Sequence, residues 1–432
     1  VAKTETLNDV AWQKICHATG LLTEIKKSGY YMVTADELKL HGEREPRLMA
    51  KIDSLAERPE LFRKEDLGIL PTGRGSYVVF RDSTKSSFIE IKSSDDEQAT
   101  SYFHSFEWSN LDTINKGLLT SESEAIDVAY LSCLLASFVG TENLVLTKRG
   151  RFGSNRFDLQ LPGINALLKV EGAQLEVDSV FESEDLVVLV EAKIGLRDNF
   201  HIRQLFYPWK WLSTMTEKQI IPVLLCYSNG EFRLTEFELS DTWGNIKIKK
   251  QELFVLDELA VTDMRLSHLL RYSGVLYEDM SIPFPQADDM AKVIDIVTAV
   301  SDGVFADSEL INEFGFVQRQ AHYYLAAASY LGFIFKQRDQ GLTDTGYRLV
   351  KEKSRMNRTE IILKQMLARQ VFRESIELLR SRDFNLANIE QNELMEILAR
   401  VRTDITGDTI SRRATTVRRW LKWVLLNTNL IS

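Results

Sequence analysis

Asp178, Glu191 and Lys193 are the residues of this chain whose types and spacing suit them for chemistry. Glu191 and Lys193 stand two apart at the end of a nearly uninterrupted apolar run, Leu186 to Val190. Asp178 lies in the alternating run just before it, Leu175 to Phe181. Side chains two apart on a strand share a face, so Glu191 and Lys193 point the same way. They are expected to meet Asp178 across the pair. Two carboxylates and an ammonium at one edge of a buried sheet are costly unless they bind something. The guest that fits such a set is a hard divalent cation such as Mg2+, with a phosphate as a further ligand.

The elements that must position these groups are legible around them. Two short β-branched runs separated by the polar turn Glu182–Asp185 predict a hairpin, and the continuous second run suits a strand buried on both faces. A helix is predicted over 122–139, with Ser121 as N-cap and Glu124 at the capping-box spacing. A second is predicted from His201 to Trp211, with Arg203, Gln204 and Tyr207 within about one turn of each other. Pro208 is expected to bend or end it. Between 148 and 156 a Gly-punctuated basic loop carries Lys148, Arg149, Arg151 and Arg156, four cations suited to clamping a phosphate backbone. Strands at 220–227 and 232–239, joined by Ser228-Asn229-Gly230, complete a mixed sheet.

Asp178 followed by Glu191-x-Lys193 at the end of an apolar strand resembles the PD-(D/E)XK signature of restriction endonucleases and related DNA-cleaving enzymes. The resemblance covers residues 120–240 and departs from the literal motif at Val177, where the proline would stand. It implies that Asp178 and Glu191 hold Mg2+ and that Lys193 orients and activates the attacking water. Gln204-x-x-Tyr207 is similar to the fourth motif of RecB-like members, which implies that both residues support the site. Members of the superfamily often carry an acid on the helix before the catalytic strands, and here Glu124 is the candidate.

Beyond the proline-rich boundary Ser281–Ala287 the chain turns to short helices. Helices near 309–314 and 318–331, a short strand pair around Asp339-Gln340-Gly341, and Leu342-Thr343-Asp344-Thr345-Gly346 resemble a winged helix. In that reading Gln318, Arg319, Gln320, His322 and Tyr323 face a major groove. A helix is expected over 358–379, another over 392–401, and a last one from Ser411 to Trp423. The last pairs the apolar stripe Val417, Trp420, Val424 with Arg412, Arg413, Arg418, Arg419 and Lys422. It looks like a second helix-turn-helix unit, or else a solvated basic face.

The 432 residues suffice for several domains, and 44% hydrophobic with 27% charged residues are globular proportions. A net charge of −9 argues against a non-specific DNA coat while leaving room for local basic grooves. Cys16, Cys133 and Cys226 form neither a CxxC pair nor a disulfide framework, which points to a reducing cytoplasm. No apolar run reaches spanning length, and no membrane association is expected.

The expected fold is an α/β mixed-sheet nuclease core with a mainly helical, winged-helix-like C-terminal region, multidomain α+β overall. Its parts are an accessory DNA-contacting region (1–115), a catalytic domain (116–280), a winged-helix-like domain (288–355) and a helix-turn-helix-like domain (356–432). The resemblance implies a Mg2+-dependent type II restriction endonuclease acting on double-stranded DNA as a homodimer, with a cognate DNA methyltransferase in the same cell. The alternatives are a modification-dependent, repair or recombination nuclease, and a DNA-binding regulator carrying an inactive nuclease fold.

Overall fold

The computed structural model describes residues 6–91, 99–102, 113, 119–195, 197, 199–256, 266–314, 316, 318–336, 341–352, 355–407 and 409–428. They form two units, one within residues 1–255 and one made mainly of residues 256–432. The architecture is a mixed α/β unit followed by a mainly helical one. Among the described residues no helix is long and apolar enough to cross a membrane.

The first unit opens with α1 (Leu7–Thr19), α2 (Leu21–Ser28), β1 (Tyr30–Thr34), α3 (Ala35–Gly42), α4 (Pro46–Ala50) and α5 (Glu60–Lys64). Next come β2 (Leu67–Gly73) and β3 (Ser76–Arg81). Reciprocal capping boxes, Thr6 with Asp9 and Thr34 with Glu37, start α1 and α3. The antiparallel sheet β1-β3-β2 encloses a core of Trp12, Ile15, Leu38, Met49 and Phe62 with the helices.

The larger part follows as β4 (Phe88–Glu90), β5 (Thr100–Tyr102), α6 (Glu122–Leu131), α7 (Leu134–Val139), β6 (Val145–Gly153), β7 (Phe157–Gln160) and β8 (Leu167–Val170). It continues with β9 (Gln174–Glu182), β10 (Leu186–Ile194), β11 (Asn199–His201), α8 (Arg203–Ser213), β12 (Gln219–Ser228), β13 (Glu231–Leu239) and β14 (Ile246–Leu256). A seven-stranded sheet runs β5-β14-β13-β12-β10-β9-β6. β9 and β10 form the expected antiparallel hairpin, and β10 pairs in parallel with β12, with α8 between them in the chain. That central position explains the unbroken apolar run of β10, which is covered on both faces.

Several local expectations change. The helix over 122–139 is two helices, broken where Cys133 takes a left-handed φ of 60°. The basic loop is mostly a strand: β6 is the sheet edge and carries Lys148, Arg149 and Arg151. His201 belongs to β11, which pairs with β4, and the helix starts at Arg203. α8 continues through Pro208, because its buried face of Leu205, Phe206, Trp211 and Leu212 offsets a penalty of about 3 kcal/mol. β14 had no strand signal strong enough to read; its Ile246-Lys247-Ile248-Lys249 alternation continues into Leu253–Val255, which is buried.

The second unit holds α9 (Leu266–Tyr272), α10 (Met290–Ser301), α11 (Asp307–Phe314), α12 (Gln318–Tyr330), α13 (Asp344–Lys351), α14 (Arg355–Leu367), α15 (Gln370–Ser381), α16 (Gln391–Val401) and α17 (Thr409–Leu426). The helix expected over 358–379 breaks at Ala368-Arg369 into α14 and α15. One continuous core runs from Leu266 to Val424, so the two expected C-terminal domains share their interior. Among the described residues the wing is a single antiparallel bridge, Ile334 to Leu342; Asp339 and Gln340 lie outside the described residues.

The Leu-Thr-x-x-Gly motif that follows is a helix start. The Thr343 hydroxyl accepts from Gly346 N at 3.1 Å and donates to Gly332 O at 2.6 Å. A Cβ on Gly346 would stand 2.0 Å from the Phe333 carbonyl oxygen, which is why only glycine fits there.

Candidate active site

A bulge assembles the site. Along β6, Lys148 partners Val180 and Gly150 partners Val177, so Asp178 and Ser179 of β9 together oppose Arg149 alone. Such an extra residue rotates the side chains that follow it. Leu175 and Val177 accordingly pack in the core with α8, whereas Phe181 stacks on Tyr130 of α6 at 4.9 Å. At the bulge, Asp178 turns toward the end of β10, where its Oδ2 accepts from Ala192 N at 2.8 Å.

Glu191 is 5% exposed, and its Oε1 receives two hydrogen bonds of 2.6 Å, from Lys193 Nζ and from Gln204 Nε2. Lys193 Nζ also donates to the Ala192 carbonyl at 2.9 Å and lies 3.4 Å from Glu122 Oε1. Two carboxylates thus pair with one ammonium, and Asp178 adds its charge from nearby. Burial, with Asp178 and Glu122 adding to it, pushes the Glu191 carboxyl up to about 8 against the pull of Lys193. Burial alone would depress Lys193, but Glu191, Glu122 and Asp178 together raise it. Burial also raises Glu122, against the pull of Lys193. The ammonium therefore stays charged, and Glu191 is poised to ionise once a further cation arrives.

The acid that α6 brings to Lys193 is Glu122 and not Glu124. Residues two apart on a helix lie about 200° apart around its axis, so they face different ways. Ser121 accepts from Glu124 N at 3.1 Å, the capping contact that the spacing also predicted. Gln204, at the start of α8, reaches Glu191. Tyr207 does not: its hydroxyl donates to Pro71 O at 2.7 Å and ties α8 to β2.

The sequence carried no signal for the N-terminal contribution. Asp53 pairs with Arg203 at 2.9 Å, directly before Gln204, and Leu55 N donates to Asn199 Oδ1 at 2.8 Å. Burial pushes Asp53 up, but Arg203, Lys51 and Lys193 together hold it below the usual range. His201 is buried; its Nδ1 accepts from Arg203 N, and burial lowers it to about 3, so it stays neutral.

The donor set fits a hard divalent ion. Asp178 on β9 and Glu191 on β10 would be its oxygen ligands, in a group with excess negative charge. Gln204 Oε1 is buried without a partner, an acceptor available to a bound water. No group of three His, Cys, Asp or Glu suited to a metal occurs among the described residues, so the protein would supply two carboxylates and leave other positions to water or substrate.

The expected DNA-contacting residues divide. On β6, Arg149 is drawn to Asp127 at 2.6 Å and Ser179 Oγ at 3.2 Å, and Lys148 lies over the Trp211 ring at 5.7 Å. Arg151 makes an exposed pair with Glu176, while Arg156 is exposed beyond the strand. On α12, Arg319 and His322 are exposed, and the Gln318 side chain lies outside the described residues. On α17, Arg412 is exposed and Arg413 half-buried. Arg418 turns inward instead, donating to Leu386 O at 2.9 Å and to Ile389 O, the carbonyls that flank the short 3-10 turn Leu386–Asn388.

Three family models match the chain, each described as a domain of unknown function: DUF6996 over residues 9–79, DUF6997 over 83–255 and DUF7226 over 292–429. The middle one contains Glu122, Asp178, Glu191, Lys193 and Gln204, and the first contains Asp53. No curated protein and no solved structure matches the chain.

Proposed function

We propose that the chain is a Mg2+-dependent, sequence-specific double-stranded DNA endonuclease of the type II restriction kind. The observation that carries this reading is the meeting of Asp178, Glu191 and Lys193 at the end of β10, with Gln204 bound to Glu191. When bound, the ion would supply Lewis-acid stabilisation of phosphoryl oxygens and a more acidic water. Asp178 and Glu191 would hold it. Lys193 keeps a full positive charge where negative charge develops on the phosphate. Gln204 fixes the rotamer of Glu191, and Glu122 helps keep Lys193 protonated. Cutting both strands of a symmetric site calls for a homodimer, and protecting the host's own sites calls for a partner methyltransferase.

The test is incubation of the purified protein with unmethylated and methylated phage DNA, in Mg2+ and in EDTA. Discrete Mg2+-dependent fragments from the unmethylated copy are expected, and Asp178→Ala or Lys193→Ala should slow cutting by at least about 100-fold. Parental cutting rates in both variants would sink this active site. Duplex binding without cutting would favour the regulator reading.

A further inference from the structure

The two helices read from sequence as separate recognition helices, α12 and α17, meet in the second unit through a run of polar contacts. The Arg319 guanidinium lies over the Tyr323 ring, 5.3 Å from its centroid, and its Nε donates to the Tyr323 hydroxyl. With the Gln286 amide oriented to satisfy both neighbours, its nitrogen donates to the same hydroxyl at 2.5 Å. Its oxygen accepts from Arg413 Nη1 at 2.9 Å. A hydroxyl has two lone pairs and one proton. Both lone pairs of Tyr323 are filled, so its proton is left to donate, and no acceptor for it occurs among the described residues.

Arg413 is the second sign of a missing anion. Its Nε is buried without a partner. Burial and the neighbouring Arg412 and Arg402 lower it to about 10, against the pull of Tyr323 and Asp404. Arg412, next to it, is exposed. Among the described residues no carboxylate hydrogen-bonds Arg319, Arg412 or Arg413. The acids close by are otherwise engaged: Asp288 pairs with Arg419, and Asp404 with Arg402 at 2.7 Å.

We infer that Arg319, Tyr323, Arg412 and Arg413 form one composite phosphate-binding surface, built by α12 and α17 together, that grips the backbone of double-stranded DNA. Guanidinium forks match phosphate oxygens in pairs, and a phenol donor beside them adds a charge-assisted hydrogen bond. The choice of DNA as the source of the phosphates rests on the endonuclease reading. The surface itself does not need the active site. It replaces two independent helix-turn-helix contacts with a single one, and it excludes Arg418.

The test is fluorescence anisotropy of the full-length protein with a labelled 30-base-pair duplex in EDTA, over a salt series. Arg319→Ala and Arg412→Ala, both at exposed positions, should each weaken binding about tenfold and lower the salt slope by about one. Tyr323→Phe should weaken it about threefold, and Arg380→Ala, a control elsewhere in the unit, should change nothing. Variants that bind as the control does would overturn the surface, as would a wild-type protein with no duplex affinity. Tighter binding of an RNA duplex would overturn the assignment to DNA. Cleavage is scored separately in Mg2+, so a protein that binds through these residues without cutting would overturn the endonuclease reading alone.

Discussion

The end of β10 and the α12–α17 surface handle charge in opposite ways. At the strand end, Glu122, Asp178 and Glu191 crowd around one ammonium, nearly buried, so the cluster carries excess negative charge that titrates near neutrality. On the helical surface, exposed Arg319 and Arg412 and half-buried Arg413 sit with a tyrosine and an amide among them and no bound carboxylate. An acidic chain of net charge −9 has thus gathered acids at one place, the proposed cation site, and cations at another, the proposed phosphate surface. The sum of charge describes neither region; the local field does.

The sharpest way to break this contrast is pH. A carboxyl whose folded value is raised stays protonated below that value, so without metal Glu191 would ionise, as the proposed ligand must, only near pH 8 or above. Cleavage should therefore rise about tenfold per pH unit up to about 8 at low Mg2+, with the midpoint moving down as Mg2+ is added, because metal binding releases the proton. The same shift makes the Glu191 contribution to folding stability largest below about pH 4.5 and lost as pH rises through about 8. Arginines do not titrate in this window, so duplex affinity in EDTA should change by less than about threefold between pH 6 and 8. Parallel loss of binding and cutting would erase the distinction.

A smaller effect separates the two units by stability. Gly346→Ala forces a Cβ against the Phe333 carbonyl and should destabilise the helical unit by about 1–3 kcal/mol, seen as a lower urea midpoint for that unit. A cutting rate reduced as much as the binding would show that the two regions fail together. The smallest effect belongs to Tyr207→Phe. It removes one buried hydrogen bond to Pro71 O and should lower stability by about 1 kcal/mol while cleavage stays within about twofold. A large loss of cutting would restore Tyr207 to the site.

Some of this was legible without the fold. The β9–β10 hairpin, the strand β12, the α12 boundaries and the buried stripe of α17 follow from hydrophobic period, which records how each element is covered; the parallel pairing of β12 with β10 does not. That Gln204 supports the site was only an implication of the family resemblance; its contact with Glu191 is seen in the fold alone. Sequence period could not reveal the bulge at Asp178-Ser179, because an inserted residue is defined by what stands opposite it on β6. Strict alternation would put Phe181 on the face of Leu175 and Val177 and Val180 on the other, the reverse of what the bulge produces.

By itself, the sequence determined which residues have the chemistry: a carboxylate on each of two adjacent strands, an ammonium two residues on, and arginines on two separate helices. The tertiary structure decided which of them meet. It chose Glu122 over Glu124 through the rotation of α6, brought Asp53 from a segment more than a hundred residues away, and turned Arg418 inward onto the Leu386 and Ile389 carbonyls. It also joined Tyr323 to Arg413 through Gln286. The reason is physical: residue type fixes what a side chain can bond, but which partner it bonds depends on packing between elements far apart in the chain, and no local period encodes that.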